Sequence, residues 1–209
     1  MSGQPGRSPI AAILLAAGNS SRFGGDKLSH PLPEERGTPM AIASARHLRD
    51  GLPDALHVAV LRRPRLGEVN RLADLLAREG FVVTFCDDAG LGMGHSLAHA
   101  VRAVHGMAQG REPAAHVVAL GDMPFIEPAT IAAVGQALRQ GAGIAAPTFA
   151  GRRGHPVGFA ARFGPALMTL QGDAGARDIL RAHAGEIVTI PTLDSGGLRD
   201  IDTPDDLQG

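Results

Sequence analysis

Short runs of consecutive apolar residues, rich in β-branched side chains, alternate along this chain with longer stretches in which apolar positions recur every three or four residues. A run of the first kind fits a strand buried on both faces, and the second marks an amphipathic helix. Strands are therefore expected at 10–16, 55–61, 81–86, 115–120 and 143–148. Helices are expected at 65–79, 95–107 and 128–140, preceded by one that starts at Thr38-Pro39, as cap and first-turn proline, and runs to about Asp50. This alternation predicts βαβ units on a largely parallel sheet, an α/β fold. Gly80, Gly110 and Gly141 follow three of the helical runs, where a left-handed residue commonly ends a helix.

After Gly151 the texture changes. Gly151-Arg152-Arg153-Gly154 reads as a hairpin turn, a short helix is expected near 162–170, and Gly172-Asp173-Ala174-Gly175-Ala176-Arg177 opens another with Asp173 as its N-cap. There is no repeat, low-complexity tract or linker, so residues 10–209 are expected to be one domain behind a flexible, breaker-rich tail at 1–9. The 44% hydrophobic content of 209 residues is enough for one sizeable core. Lysine and arginine number 20 against 21 carboxylates, which argues against general attraction to nucleic acid or anionic membrane. Any anion must be held locally. Cys86 is alone, which excludes an internal disulfide and a cysteine-rich zinc site and fits a reducing cytoplasm. The apolar run from Ile10 to Ala17 is too short for a membrane span or a signal peptide.

The most informative stretch directly follows the first strand: Leu15-Ala16-Ala17-Gly18-Asn19-Ser20-Ser21-Arg22-Phe23-Gly24-Gly25-Asp26-Lys27-Leu28. Glycines admit a close approach of backbone N–H groups to an anion, serine and asparagine add donors, and Arg22 and Lys27 bring two positive charges. The crevice at strand C-termini is also where open α/β sheets bind ligands. Neither the Walker pattern nor the dinucleotide fingerprint is present, so this is a third kind of phosphate loop or a solvated surface loop. A second cluster, Gly90-Leu91-Gly92-Met93-Gly94-His95-Ser96-Leu97, precedes a helix whose first N–H groups could meet a nucleotide, or it is a structural turn. Asp122 in Leu120-Gly121-Asp122-Met123-Pro124-Phe125 ends the fourth strand and projects at the sheet edge, as a hard-oxygen metal ligand or as a turn residue. Near the end, Thr203 and Pro204 read as a helix cap and first residue, with Asp205 and Asp206 at the helix start, leaving Asp202 outside the cap. His95 and His99 share a helix face, but no further acid stands in register for zinc.

The loop resembles the L-A-A-G-x-x-x-R-[MF]-G-x-x-K signature of nucleotidyltransferases, and most closely the molybdopterin nucleotidyltransferase family, including its molybdenum cofactor cytidylyltransferases. The resemblance runs from about Ile10 to Leu207. It takes in Gly92 to Leu97 as G-M-x-x-S-L and Gly121 to Pro124 as G-D-M-P. Asp200 to Leu207 resembles D-[IV]-[DN]-T-P-x-D-L, although relatives often carry asparagine where Asp202 stands. Gly151 to Phe159 resembles G-x-x-G-H-P-V-x-F and Gly172 to Arg177 resembles G-D-x-G-A-R, and these two point to molybdopterin as acceptor.

The resemblance implies a three-layer, mostly parallel twisted sheet, Rossmann-like and akin to the glycosyltransferase-A fold, with residues 10–150 as the NTP-binding half and 151–209 as the acceptor-binding half. It implies CMP transfer from CTP to molybdopterin with release of pyrophosphate, Mg²⁺ on Asp122 and Asp202, and catalysis by Arg22, Lys27 and Asp122. Nucleotide contacts are expected from Leu15, Ala16, Ala17, Gly18, Ser20, Ser21, Arg22, Lys27, Gly92 and Ser96, and acceptor contacts from Arg153, His155, Pro156, Asp173 and Arg177. A molybdoenzyme that receives the product is the further partner it leaves open. Ala17 favours CTP, because GTP users of the family usually have glycine there. The alternatives are GTP as donor, a sugar phosphate as acceptor, and a non-catalytic protein that carries the cofactor.

Overall fold

The computed structural model describes residues 8–18, 23, 26–64, 69–107, 112–203 and 206. In chain order the elements are β1 (Ile10–Ala16), β2 (Pro31–Leu32), β3 (Thr38–Pro39), α1 (Met40–Gly51), β4 (Leu56–Arg62), α2 (Arg71–Arg78), β5 (Val82–Cys86), α3 (Met93–Met107), β6 (Ala115–Leu120), α4 (Pro128–Arg139), β7 (Ile144–Phe149), β8 (Arg152–Arg153), β9 (Val157–Ala160), α5 (Gly164–Met168), α6 (Arg177–Ala182) and β10 (Ile187–Pro191). The main sheet has the order β10-β7-β9-β6-β1-β4-β5, with β8 beside β7. β1 runs parallel to β4 and β6, and β5 parallel to β4, whereas β9 enters antiparallel between β6 and β7.

Alternation along β1 explains the three layers. Ile10, Ala12, Leu14 and Ala16 pack with α1, α2 and α4 on one face, while Ala11, Ile13, Leu15 and Ala17 pack with α3 and α5 on the other. Every residue of β1 is buried. Small alanines at a strand covered on both faces let the helices approach closely. The chain is thus a mostly parallel α/β sheet with helices on both sides, the three-layer Rossmann-like arrangement that the resemblance implies. Among the described residues no helix is long and apolar enough to cross a membrane.

Several expectations are corrected. Thr38 and Pro39 do not begin a helix: they form β3, pair antiparallel with β2, and α1 starts at Met40. The backbone of β3 serves this second small sheet, so Pro39 remains extended with ψ 139° as the residue before the helix. The helix expected from residue 65 begins at Arg71, because the Asn70 side chain accepts from the Ala73 N–H and fixes the cap there; residues 65–68 lie outside the described residues. The helix near 162–170 resolves into a 3₁₀ turn and the short α5. Asp173 does not cap α6: Gly172 and Gly175, both left-handed, delay the start to Arg177 and put Ala176 at the cap. Near the end the Asp206 carboxylate accepts from the N–H and hydroxyl of Thr203 and from the Asp202 N–H, as the third-position carboxylate of a capping box does, while Pro204 and Asp205 of the expected helix start lie outside the described residues. Gly80 and Gly141 do take left-handed φ after α2 and α4, while Gly110 and residues 1–7 of the expected tail lie outside the described residues.

Candidate active site

The parallel strands β1, β4 and β6 end together, and the backbone locks their ends in place. Gly121 donates to the Leu15 carbonyl at 2.9 Å, and Ile201 donates to the Asp122 carbonyl at 3.0 Å. The second bond brings Asp202, eighty residues further along the chain, beside Asp122. Between them stands Lys27, carried by a 3₁₀ turn, with its ammonium 2.9 Å from Asp122 Oδ2 and 3.1 Å from Asp202 Oδ1. Burial opposes the charge on this amine, but the two carboxylates outweigh it and hold its pKa above the ordinary lysine value. The two carboxylates already share one cation, and they offer the hard oxygen donors a divalent metal requires, so the residues present fit a metal. Among the described residues no group of three or more His, Cys, Asp or Glu gathers to hold one by protein ligands alone. A cation here would complete its shell with substrate oxygens and water.

The ion-paired lysine lines a cleft of about 350 Å³ together with Leu15, Ala17, Gly18, Gly92, Ser96 and Asp122. Ala16 does not face it. Because strand side chains alternate, Ala16 packs on the other face of β1. Ser20, Ser21 and Arg22 lie outside the described residues. The Gly90 to Gly94 cluster is shaped first by packing. Gly94 N–H is not free for a nucleotide, since it donates to the Gly172 carbonyl at 2.8 Å. Gly92 holds φ +125°, and a Cβ there would stand 2.4 Å from the same carbonyl. This contact carries the Gly172 turn to the cleft and explains why Asp173 lines it, which its sequence position alone did not reveal.

A second cavity, of about 310 Å³, adjoins the first and shares Leu15, Met93, Leu120 and Asp173 with it. It gathers Arg153, His155, Asp173 and Arg177 over an apolar floor of Val118, Val157 and Phe159. Pro156 is buried behind this wall and does not line it, following a cis bond from His155. His155 N–H donates to the Gly197 carbonyl at 2.8 Å. Burial lowers the pKa of the His155 imidazole, a backbone hydrogen bond to Val118 opposing it only in part. Burial thus disfavours the charged form of this ring within the wall. Gly197, Leu198 and Asp200 also line this cavity and were not anticipated; the available signal was the Gly196-Gly197 pair, of which Gly197 admits the His155 backbone and Gly196 the Phe125 backbone. His99, on the helix face it shares with His95, has its Nε2 2.7 Å from the Thr84 hydroxyl.

Comparison with known proteins accords with this geometry. Over 207 residues the chain is 30% identical to the purine catabolism protein PucB of Bacillus subtilis, covering 96% of this chain and 95% of that one. A mycobacterial structure, the homologue of Rv0371c from Mycobacterium sp. strain JC1, superposes with a TM-score of 0.73 at 28% identity over 97% of this chain and 94% of that one. Rv0371c of Mycobacterium tuberculosis, solved in complex with manganese, superposes at 0.66 with 23% identity over 96% of each chain. The model of the MobA-like NTP transferase domain matches residues 12–187, well over half of the chain, and the chain therefore belongs to this family of nucleotidyltransferases.

Proposed function

We propose that this protein transfers CMP from CTP to the terminal phosphate of molybdopterin and releases pyrophosphate. The observation that carries the proposal is the junction of two cavities, one with a lysine shared by two carboxylates and one with two arginines above an apolar floor. The first suits a triphosphate, and the second suits a phosphorylated heterocycle. The G-H-P-V and G-D-A-G-A-R elements, which resemble the molybdenum-cofactor branch, supply His155, Asp173 and Arg177 to that second cavity.

In the proposed reaction an oxygen of the acceptor phosphate attacks the α-phosphorus of CTP, a new P–O–P bond forms, and the bond to the β-phosphate breaks. A phosphate monoester is already anionic near neutrality, so no general base is needed. Arg153 and Arg177 hold the acceptor phosphate, Lys27 neutralises the triphosphate, and Gly18 allows the backbone close to it. Arg22 is assigned the second loop charge on its resemblance to the signature. A divalent cation on Asp122 and Asp202, Mg²⁺ in this proposal, would supply further charge neutralisation at the α-phosphate. Asp173, facing both cavities, repels a misplaced phosphate and so confines the acceptor phosphate to the arginines.

Pyrophosphate release is to be measured with each NTP crossed against molybdopterin and against sugar 1-phosphates. Release is expected with CTP and molybdopterin. Turnover with a sugar phosphate alone would overturn the acceptor, equal or better use of GTP would overturn the base, and release in no combination would favour a carrier protein.

A further inference from the structure

A third cavity, of about 590 Å³, adjoins the nucleotide cleft and shares Gly18 and Leu28 with it. Arg62, Arg63 and Arg71 line it, with Asn70 and Ser29, and among the described residues Asp26 is its one lining carboxylate. The Asp26 carboxylate is engaged by the Ser29 hydroxyl at 2.5 Å. Arg63 pairs with Asp87 outside the cavity, whereas Arg62 and Arg71 carry no ion pair among the described residues. In a chain whose net charge is −1, this is a local concentration of positive charge. Arg62 ends β4, directly beyond the Leu61 to Ala16 register, and a terminal nitrogen of its guanidinium comes within 3.9 Å of where a Cβ on Gly90 would stand, on the wall of the nucleotide cleft.

The three cavities follow the order of the strands. The acceptor cavity rests on β9 and β6, the nucleotide cleft on the end of β1, and the arginine-lined basin on the end of β4. Displacement at phosphorus requires the entering and leaving oxygens to stand roughly in line on opposite sides of the transferred group. An acceptor that enters from the β6 side therefore expels its leaving group toward β4. We infer that Arg62 and Arg71 form a binding site for the departing pyrophosphate, separate from the Lys27 site that holds the triphosphate before reaction. The inference rests on the nucleotidyl-transfer reading given above. A guanidinium pair matches the forked oxygens of a pyrophosphate and holds them away from the new bond, which opposes the reverse attack.

Calorimetric titration of inorganic pyrophosphate with Mg²⁺ into the full chain, and into its Arg62→Ala/Arg71→Ala variant, tests this directly. Pyrophosphate affinity is expected to fall by roughly tenfold or more, while affinity for CMP, which lacks the outer phosphates, stays within about twofold. An Arg62→Lys/Arg71→Lys variant, which keeps the charge and loses the fork, should recover part of the loss. The site is refuted if the parent chain fails to bind pyrophosphate, if the double alanine variant binds it as tightly as the parent, or if CMP affinity falls by the same factor. The titration needs no turnover, so a chain that binds pyrophosphate through these arginines but transfers no CMP would retain the basin and overturn the proposed function instead.

Discussion

The nucleotide cleft and the acceptor cavity stand side by side and are built on different physics. In the cleft a nearly buried lysine faces two carboxylates, and the walls are mostly backbone and small side chains. The acceptor cavity has an apolar floor of Leu97, Val118, Met123, Val157 and Phe159, with exposed Arg153, Arg177 and Asp200 at its margin. Under the proposed function the first arrangement would recognise charge, which every triphosphate presents alike, and the second would recognise shape, so that identity of the acceptor would reside there.

The largest expected effect lies on the charged side. Asp122→Asn keeps the volume and removes the charge, so under the proposed mechanism turnover should drop by orders of magnitude, several kcal/mol of transition-state stabilisation. Thermal unfolding of the variant should remain cooperative. Near-normal turnover at saturating Mg²⁺ would remove the metal role from Asp122 and blur the contrast between the cavities.

Glycine substitutions sharpen the contrast between packing and ligand contact. At Gly92 a Cβ would collide with the Gly172 carbonyl in a backbone of φ +125°, so Gly92→Ala should destabilise the fold by about 2–4 kcal/mol in urea titrations. Gly18 has nothing within 4 Å of a Cβ among the described residues. Gly18→Ala should therefore leave stability within about 0.5 kcal/mol and weaken CTP binding. Equal destabilisation by both would show that Gly18, too, is a packing residue.

Support beneath the acceptor cavity comes from β6, where His116 is fully buried, stacks on His105 at 5.5 Å, and has no hydrogen-bond partner for either ring nitrogen among the described residues. Desolvation, reinforced by the nearby His105, lowers its pKa from 6.5 to about 4. The unfolded chain binds this proton below pH 6.5, and the folded chain does so only near 4. Stability is thus complete above pH 6.5, declines as pH falls through the interval, and loses up to about 3 kcal/mol from this residue. Denaturation curves at pH 7.5 and 4.5 should show a smaller difference for His116→Leu than for the parent. An unchanged difference would mean that the buried imidazole is already protonated or already paired.

The smallest effect concerns the base. Ala17 lines the cleft beside the end of β1, and one methyl changes discrimination by about 1–3 kcal/mol. Preference for CTP over GTP should be roughly ten- to a few-hundredfold, and Ala17→Gly should narrow it without reversing it. No change in the ratio of kcat/KM values would move base selection to other wall residues, such as those from Ala89 to Ser96.

Much of the scaffold was legible because apolar runs of strand length and helical period are local properties. β1 and β6 fall on their expected residues, and β4, β5 and β7 each differ by one residue at either or both ends. The strands missed were those whose partners are distant or whose runs are short: β9 is a four-residue strand wedged antiparallel between β6 and β7, and β2 with β3 replaces an expected cap because two extended segments met. Motif residues such as Lys27, Asp122 and Arg177 could be named from their chemistry and resemblance. Their separation could not.

The sequence by itself determined the alternating α/β scaffold, the lack of a cysteine framework, and the residues rich enough in charge or glycine to meet an anion, since these depend on residue type and spacing along the chain. Tertiary structure alone decided that one ammonium would join Asp122 and Asp202, that Ala16 would turn away while Ala17 faced the cleft, and that Asp173 would serve the junction of two cavities instead of capping a helix. The physical reason is that each of these depends on backbone contacts between segments far apart in sequence. The Ile201 to Asp122 and Gly94 to Gly172 hydrogen bonds are two such contacts, and they form only when the whole sheet brings its strand ends together.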